Sequence, residues 1–441
     1  MKPARSKPLG AGHAARSSPI DDVPRTAQRK RGRPVARERY ARSMTPVVLL
    51  GGLNVVRALG LAGIPVIIAS SKRRLASMAS RYCSGVIELP PIAERDAVVE
   101  TLVQEGKRLA KRVGARAPLF YDNDDRLSLV QDYRAALAPH YALLLNEPGL
   151  ADALVEKSRF QALAERTGLP VPRRFDWETL AGAAGPVLAK PKSRTAWDHS
   201  SVRRQLFGGA GKACIFASGR EARAQIEARA GELADQLSFQ EYVPGGDDAI
   251  WSFHGFAAPG GEVLEWFVGR KIRTWPALTG DSSYLALARD ERLVALGRDI
   301  ARRLRLAGVF KMDFKRSASN DRYYLLEINT RFNLWHYLGA CSGVNLPKVA
   351  YEFLTKDQRP LHAEAKPGVR WLCLHYDWRA YRELKARGEL GLAGWLRSLA
   401  HFPMVYDLFS WSDPLPFVRH WLGTIRSAFK RRMHRWLATA S

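Results

Sequence analysis

Between Gly308 and Asn329 apolar and polar side chains alternate with a period of two, which predicts a pair of strands rather than a helix. Phe310, Met312, Phe314, Tyr324, Leu326 and Ile328 take the even positions, and Lys311, Asp313, Lys315, Glu327 and Asn329 the odd ones. The Ser-Ala-Ser-Asn-Asp stretch at 317–321 has turn chemistry, so the strands are expected to pair as a hairpin. With both apolar faces on the core, Asp313, Glu327 and Asn329 would project into one cavity. Three oxygen donors, short of a complete cage, suit Mg2+, which fills its shell with water and phosphate oxygens. Arg331, two positions on, would suit a phosphate. A solvated hairpin face is the alternative for the same pattern.

The pattern before this hairpin is α/β. Val47 to Leu50 is an apolar run ending in Gly51-Gly52, a helix is predicted from Val55 to Ala62, and Val66 to Ala69 is a second strand. The turn lacks the spacing of a dinucleotide fingerprint. Helical periodicity over 94–112 and a strand at 119–121 extend a doubly wound layer to about residue 145. The acidic turn Asp122-Asn123-Asp124-Asp125 then falls at a strand's carboxyl end, where such sheets hold ligands, unless it is simply a solvated loop.

Further along, a helix is predicted from Ala151 to Thr167, carrying Lys157. The strand Pro186 to Ala189 delivers Lys190, a charge that is costly at the end of a buried strand unless an anion meets it. Gly208-Gly209-Ala210-Gly211-Lys212 offers backbone amides and a lysine to phosphates. A strand over 237–243 runs into Pro244-Gly245-Gly246-Asp247-Asp248. Backbone groups at Glu241 and Val243 would meet an adenine edge, and a carboxylate seven residues after Glu241 would reach ribose hydroxyls.

Composition narrows the class. The chain has 441 residues, 46% of them hydrophobic, enough for two or three domains with real cores. No apolar run reaches membrane-span length, and no apolar block of a secretory signal follows the basic N-terminus. The four cysteines are scattered, so a reducing cytoplasm is expected. Of the net charge of +26, residues 1–43 hold +9 and residues 419–441 hold +6, leaving +11 for a body that would favour an anionic ligand. Residues 1–43 are too poor in apolar side chains to fold alone. Arg31-Gly32-Arg33-Pro34 within them is similar to an AT-hook, yet a short basic run is more ordinarily just a charge run, and nucleic acid is not an expected partner.

Taken in order from about Thr45 to about Tyr351, these features resemble the ATP-grasp superfamily, and within it carboxylate-amine ligases related to carbamoyl phosphate synthase and D-aspartate ligase. The resemblance implies an ATP-grasp fold preceded by a doubly wound α/β domain, with ATP and Mg2+ (or Mn2+) as cofactors. It implies that Lys157, Lys190 and Lys212 contact the phosphates, that Glu241, Val243 and Asp248 hold the nucleoside, with Asp247 a near substitute, and that Asp313, Glu327 and Asn329 ligate the metal. Arg331 would bind phosphate, and Lys271 or Arg273, on a strand beside the cleft, would neutralise an acyl phosphate. Asn333, Trp335 and His336 would line the acceptor pocket. Asp313 stands where the family more often has Glu, and residues 192–207 separate Lys190 from the glycine loop.

The expected division is a tail (1–43), a preceding α/β domain (44–150), the two-lobed ATP-grasp domain (151–355) and a small α-rich C-terminal appendage (356–441). In the last segment Val418, Trp421, Leu422, Ile425, Phe429, Met433 and Trp436 share one helical stripe amid basic residues. Packing on its own domain is the ordinary use of such a stripe, and an anionic membrane surface the alternative, which would make a cytoplasmic protein peripheral at the inner membrane. The expected reaction joins a small-molecule carboxylate to an amine at the expense of ATP. A non-catalytic ATP-binding regulator, a membrane-surface scaffold and an ATP-grasp kinase are the competing readings.

Overall fold

The computed structural model describes residues 44–192, 213–278 and 280–426, apart from the side chains of 157, 158 and 229–233. The tail, the glycine loop with Lys212, and residues 427–441 therefore lie outside the described residues. All described residues fall in one structural unit.

The four residues of β1 (Val47–Leu50) are apolar and fully buried, as a strand covered on both faces must be. Around it β2 (Val66–Ser70), β3 (Cys83–Glu88), β4 (Ala117–Tyr121) and β5 (Tyr141–Ala142) form a parallel sheet in the order β3-β2-β1-β4-β5. Helices α1 (Leu53–Leu61), α2 (Arg95–Val113), α3 (Asp124–Asp132) and α4 (Arg134–Leu137) connect the strands, and α2 ends on Gly114 in the left-handed region at φ 72°. Strand order reverses between β1 and β4. The crevice at their carboxyl ends, lined by Gly51-Gly52 and the acidic turn, is the ligand position of such sheets.

Helices α5 (Pro148–Val155) and α6 (Lys157–Arg166) lead into a small antiparallel sheet of β6 (Arg174–Phe175), β7 (Val187–Pro191), β8 (Cys214–Phe216) and β9 (Leu237–Glu241), ordered β6-β9-β7-β8. Leu180, Val187, Ala189, Phe216 and Phe239 pack there against Ala222 and Ile226 of α7 (Gly219–Ala230). The large sheet comprises β10 (Ile250–Ala258), β11 (Glu262–Trp275), β12 (Asp281–Ala288), β13 (Gly308–Arg316), β14 (Tyr323–Asn329), β15 (Arg370–Leu372) and β16 (Met404–Tyr406), in the order β14-β13-β10-β11-β12-β15-β16. α8 (Glu291–Arg303), capped by Asp290 on the amide of Leu293 at 2.9 Å, covers Phe253, Phe310, Met312 and Phe314 on one face. α9 (Trp335–Cys341) and α10 (Leu346–Lys356) cover Phe256, Phe267, Leu285 and Leu287 on the other, in a core shared with β1 and α1. Gly269 permits this closeness, since a Cβ there would stand 2.4 Å from the Trp335 ring.

Four expectations are corrected. The single predicted helix over 151–167 is two helices, broken where Glu156 is extended, so Lys157 opens α6 instead of sitting mid-helix. In the hairpin, Asp313 pairs with Glu327 but Phe314 with Leu325, a bulge that shifts the alternation. Tyr323 and Leu325 are buried in place of Tyr324 and Leu326, while Glu327, Ile328 and Asn329 keep their expected faces. The C-terminal region is rich in helix, as expected, but it is not bounded at residue 355. Its β15 and β16 extend the large sheet, so a boundary at 355 cuts through continuous hydrogen bonding, although α11 (Leu374–Ala386), α12 (Leu392–Leu399) and α13 (415–426) make the remainder helical. Finally, the apolar stripe of α13 does not pack on its own domain within 415–426: Leu415, Val418, Trp421, Leu422 and Ile425 are all 45–58% exposed.

Candidate functional site

The hairpin brings two carboxylates and an amide together. Asp313 is buried, accepts from Ser252 Oγ of β10, and lies 2.5 Å from Lys311 Nζ. Glu327 is its cross-strand partner, and Asn329 Nδ2 donates to Glu327 Oε1 at 2.9 Å. Burial by itself would raise the Asp313 carboxyl. The ammonium groups of Lys311 and Lys271 and the two hydrogen bonds outweigh it and hold the group below its usual range, ionised. Lys271, whose own pKa burial lowers, feels Asp313 and Glu327 as counter-charges. Sequence-distant cations and carboxylates thus share one face of the large sheet.

Arg331 joins this set to the first domain. Its Nη2 donates to Asn329 Oδ1 at 3.2 Å, while Nε and Nη2 fork onto Asp124 at 2.5 and 3.1 Å. Phe332 N donates to Tyr121 O at 3.1 Å, and the Phe120 and Phe332 rings lie 4.4 Å apart, which fixes β4 against the end of β14. At the same crevice Asp122 accepts from Gly52 N and from Arg126, each at 2.6 Å. The acidic turn is therefore engaged rather than solvated, and Arg331 links it to Asn329 of the hairpin.

The other expected residues divide. Lys190 is half-buried on β7 and Lys157 opens α6; Lys212 lies outside the described residues. Glu241 donates its N–H to Arg173 O at 2.8 Å, so an adenine contact would fall to its carbonyl or to Val243, whose side chain is buried. Asp247 and Asp248 take different duties. Asp247 is buried and accepts from Thr274 N, Thr274 Oγ1 and Leu278 N, each at 2.8 Å, whereas Asp248 is exposed. Arg273 is engaged elsewhere: its guanidinium forks onto buried Asp377 of α11 at 2.8 and 2.9 Å and donates to Ser398. The bulges around it in β11 account for the divergence from Lys271.

Three groups without an expected role join the site. Lys311 pairs with Asp313, and Lys315 is buried with its Nζ 4.2 Å from the centre of the Tyr242 ring, burial lowering its pKa to about 8 against the pull of Asp247. Their odd-numbered positions already placed them on the face of Asp313. Beneath lies His254, fully buried, stacked 4.5 Å from Phe267 with neither ring nitrogen bonded, and 6.0 Å from the ring of His336. Burial drives His336 down to about 3 and His254 well below its ordinary range, so both are neutral. His336 Nδ1 accepts from Asn333 N at 2.9 Å, which puts the proton on its unpaired Nε2. No pattern marked His254, which shares the otherwise apolar β10 with Ser252 as its other polar side chain.

The hairpin's donors fit Mg2+. They are all oxygen, and among the described residues no cluster of three His, Cys, Asp or Glu competes as a metal cage. Two carboxylates and an amide leave coordination positions for phosphate and water.

Residues 260–374 match the family described as ATP-grasp in the biosynthetic pathway with Ter operon. No curated protein matches in sequence. Among solved structures, the biotin carboxylase domain of 2-oxoglutarate carboxylase from Hydrogenobacter thermophilus, determined with MgADP, ADP and bicarbonate, aligns with a TM-score of 0.52 at 14% identity, covering 74% of this chain and 73% of that one. N5-carboxyaminoimidazole synthetase from Staphylococcus aureus aligns with a TM-score of 0.51 at 11% identity, over 73% and 80%. A biotin carboxylase from Campylobacter jejuni gives 0.50 at 14% identity, over 70% and 71%. At such identities the likeness is one of fold.

Proposed function

From a chain that has the ATP-grasp fold, preceded by a doubly wound α/β domain, we propose an ATP-dependent ligase that joins a carboxylate to an amine through an acyl phosphate. The observation that carries this reading is the continuous series Asp313, Glu327, Asn329, Arg331, Asp124, which sets a Mg2+-type oxygen site against the ligand crevice of the first domain. Phosphoryl donor and acceptor would meet there.

A substrate carboxylate oxygen attacks the γ-phosphorus of ATP, and the bond to the β-phosphate oxygen breaks to release ADP. The amine nitrogen then attacks the acyl carbon, phosphate leaves, and the nitrogen loses a proton. Asp313, Glu327 and Asn329 would hold Mg2+, which neutralises charge on the transferring phosphoryl group. Arg331 and Lys271 supply fixed positive charge where phosphate charge concentrates, with Lys311 and Lys315 on the same strand face as Asp313. Lys157, Lys190 and Lys212 would support the nucleotide phosphates from the small lobe, while Glu241, Val243 and Asp248 bind its nucleoside. Asp247, spent on the 274–278 turn, leaves the ribose to Asp248, and Arg273 is a structural partner of Asp377. Neutral His336 offers an Nε2–H from the floor of the site to an acceptor oxygen, alongside Asn333 and Trp335.

The test is to supply MgATP and a panel of amino and hydroxy acids with hydroxylamine in place of the amine. ADP release should then be accompanied by a hydroxamate. Release of ADP with phosphorylation of a hydroxyl and no hydroxamate would make the protein a kinase, and ATP binding without turnover of any acid would favour a regulator. Among the described residues no helix is long and apolar enough to cross a membrane.

A further inference from the structure

We infer that α13 and its approach form a docking surface for an anionic phospholipid bilayer. The segment that carries it is firmly seated. Arg57 of α1, wholly buried, donates to Asp413 Oδ2 at 3.0 Å and to the carbonyls of Leu408 and Asp413 at 2.8 and 2.9 Å. Asp413 also accepts from Ser80 Oγ and from Arg81 N at 2.7 and 2.9 Å. The chain entering α13 is thus held against the first domain by a satisfied polar cluster. From this anchor the chain presents apolar side chains to solvent rather than to the core.

Leu415, Val418, Trp421, Leu422 and Ile425 are each 45% exposed or more, and Trp411, just before the helix, is 89% exposed. At about 100° per residue the five helical positions fall within a sector of roughly 120°. Phe409 stands between Trp411 and Phe417, with ring centres 4.7 and 5.7 Å away, joining Trp411 to the first turn of α13. Apolar exposure on this scale, rich in tryptophan, marks an interaction surface rather than ordinary surface scatter.

Charge decides the occupant. Residues 419–441 hold six Lys or Arg and no acid, and Arg419 and Arg426 run along one edge of the stripe on α13. Two copies pairing through this face would bring like charges together. Apolar stripe, tryptophans and a basic edge together fit lipid tails below and anionic headgroups beside.

The experiment uses the full chain with large vesicles of phosphatidylglycerol and phosphatidylcholine, sedimented at low and high salt. The chain should pellet with phosphatidylglycerol-rich vesicles, be partly released by salt, and remain in solution with pure phosphatidylcholine. Replacing Leu422 and Ile425 together by Ser should weaken binding by at least roughly tenfold, because two buried aliphatic side chains are lost. Both sites are solvent-facing, so unchanged circular dichroism and unchanged nucleotide binding would show that the fold is intact. This variant keeps every basic residue, including those of 1–43. Equal binding of both proteins would mean charge adsorption alone and would overturn the inference. So would a concentration-dependent dimer, abolished by the same substitutions, with no binding to vesicles.

Discussion

Glu327 and Arg273 carry opposite expectations under substitution. Glu327 is exposed, opposite Asp313 and bonded to Asn329, so Glu327→Gln keeps the shape and removes one charge from the proposed Mg2+ site. Turnover should fall by about 100-fold or more with the melting temperature unchanged. An unaffected rate would remove the hairpin from the chemistry. Arg273 and Asp377 are both buried, and breaking such a pair by Arg273→Met leaves an unpaired carboxylate, at a cost of about 3–5 kcal/mol in denaturant unfolding. Arg273→Lys should melt lower yet, once folded, turn over within a few-fold of wild type; a loss of rate without a loss of stability would restore a catalytic role. His336 gives a pH signature. Its folded pKa of about 3 lies below its unfolded value, so the unfolded chain takes up a proton first. The stability that this group contributes is complete above the ordinary histidine range and is lost as pH falls from there towards 3. His336→Gln should flatten the decline in unfolding free energy between pH 7 and 5.

At the scale of elements, legibility followed length and periodicity. Strands β1, β2 and β4 and helices α1 and α2 were readable because a buried apolar run or a 3.6-residue stripe repeats often enough to be unambiguous. β15 and β16 have three residues each and were not readable, since three residues cannot display a period. The hairpin was readable as a hairpin, but its bulge was not. An inserted residue changes which side of Leu325 and Leu326 is buried without altering the composition that predicted the strand. The break at Glu156 has no sequence signal that we can identify, neither Pro nor Gly being present there.

For the whole molecule, the composition break at residue 44 predicts that a chain beginning at Met44 melts and turns over MgATP as the full chain does. Thermal melts and ADP release would check this, and a large loss of either would give residues 1–43 a structural or catalytic part. The order of the chemistry-bearing segments, the parity that puts Lys311, Asp313 and Lys315 on one face, and the doubly wound first domain were determined by the sequence itself, because each depends on a local period. What only the tertiary structure decided is which groups meet. Asp124 finds Arg331 across 207 residues, Asp377 claims Arg273 across 104, and Arg57 anchors the C-terminal turn across 356. Charge type is written in the chain, but a charge finds its partner through the crossing of strands and the packing of helices that no single segment encodes.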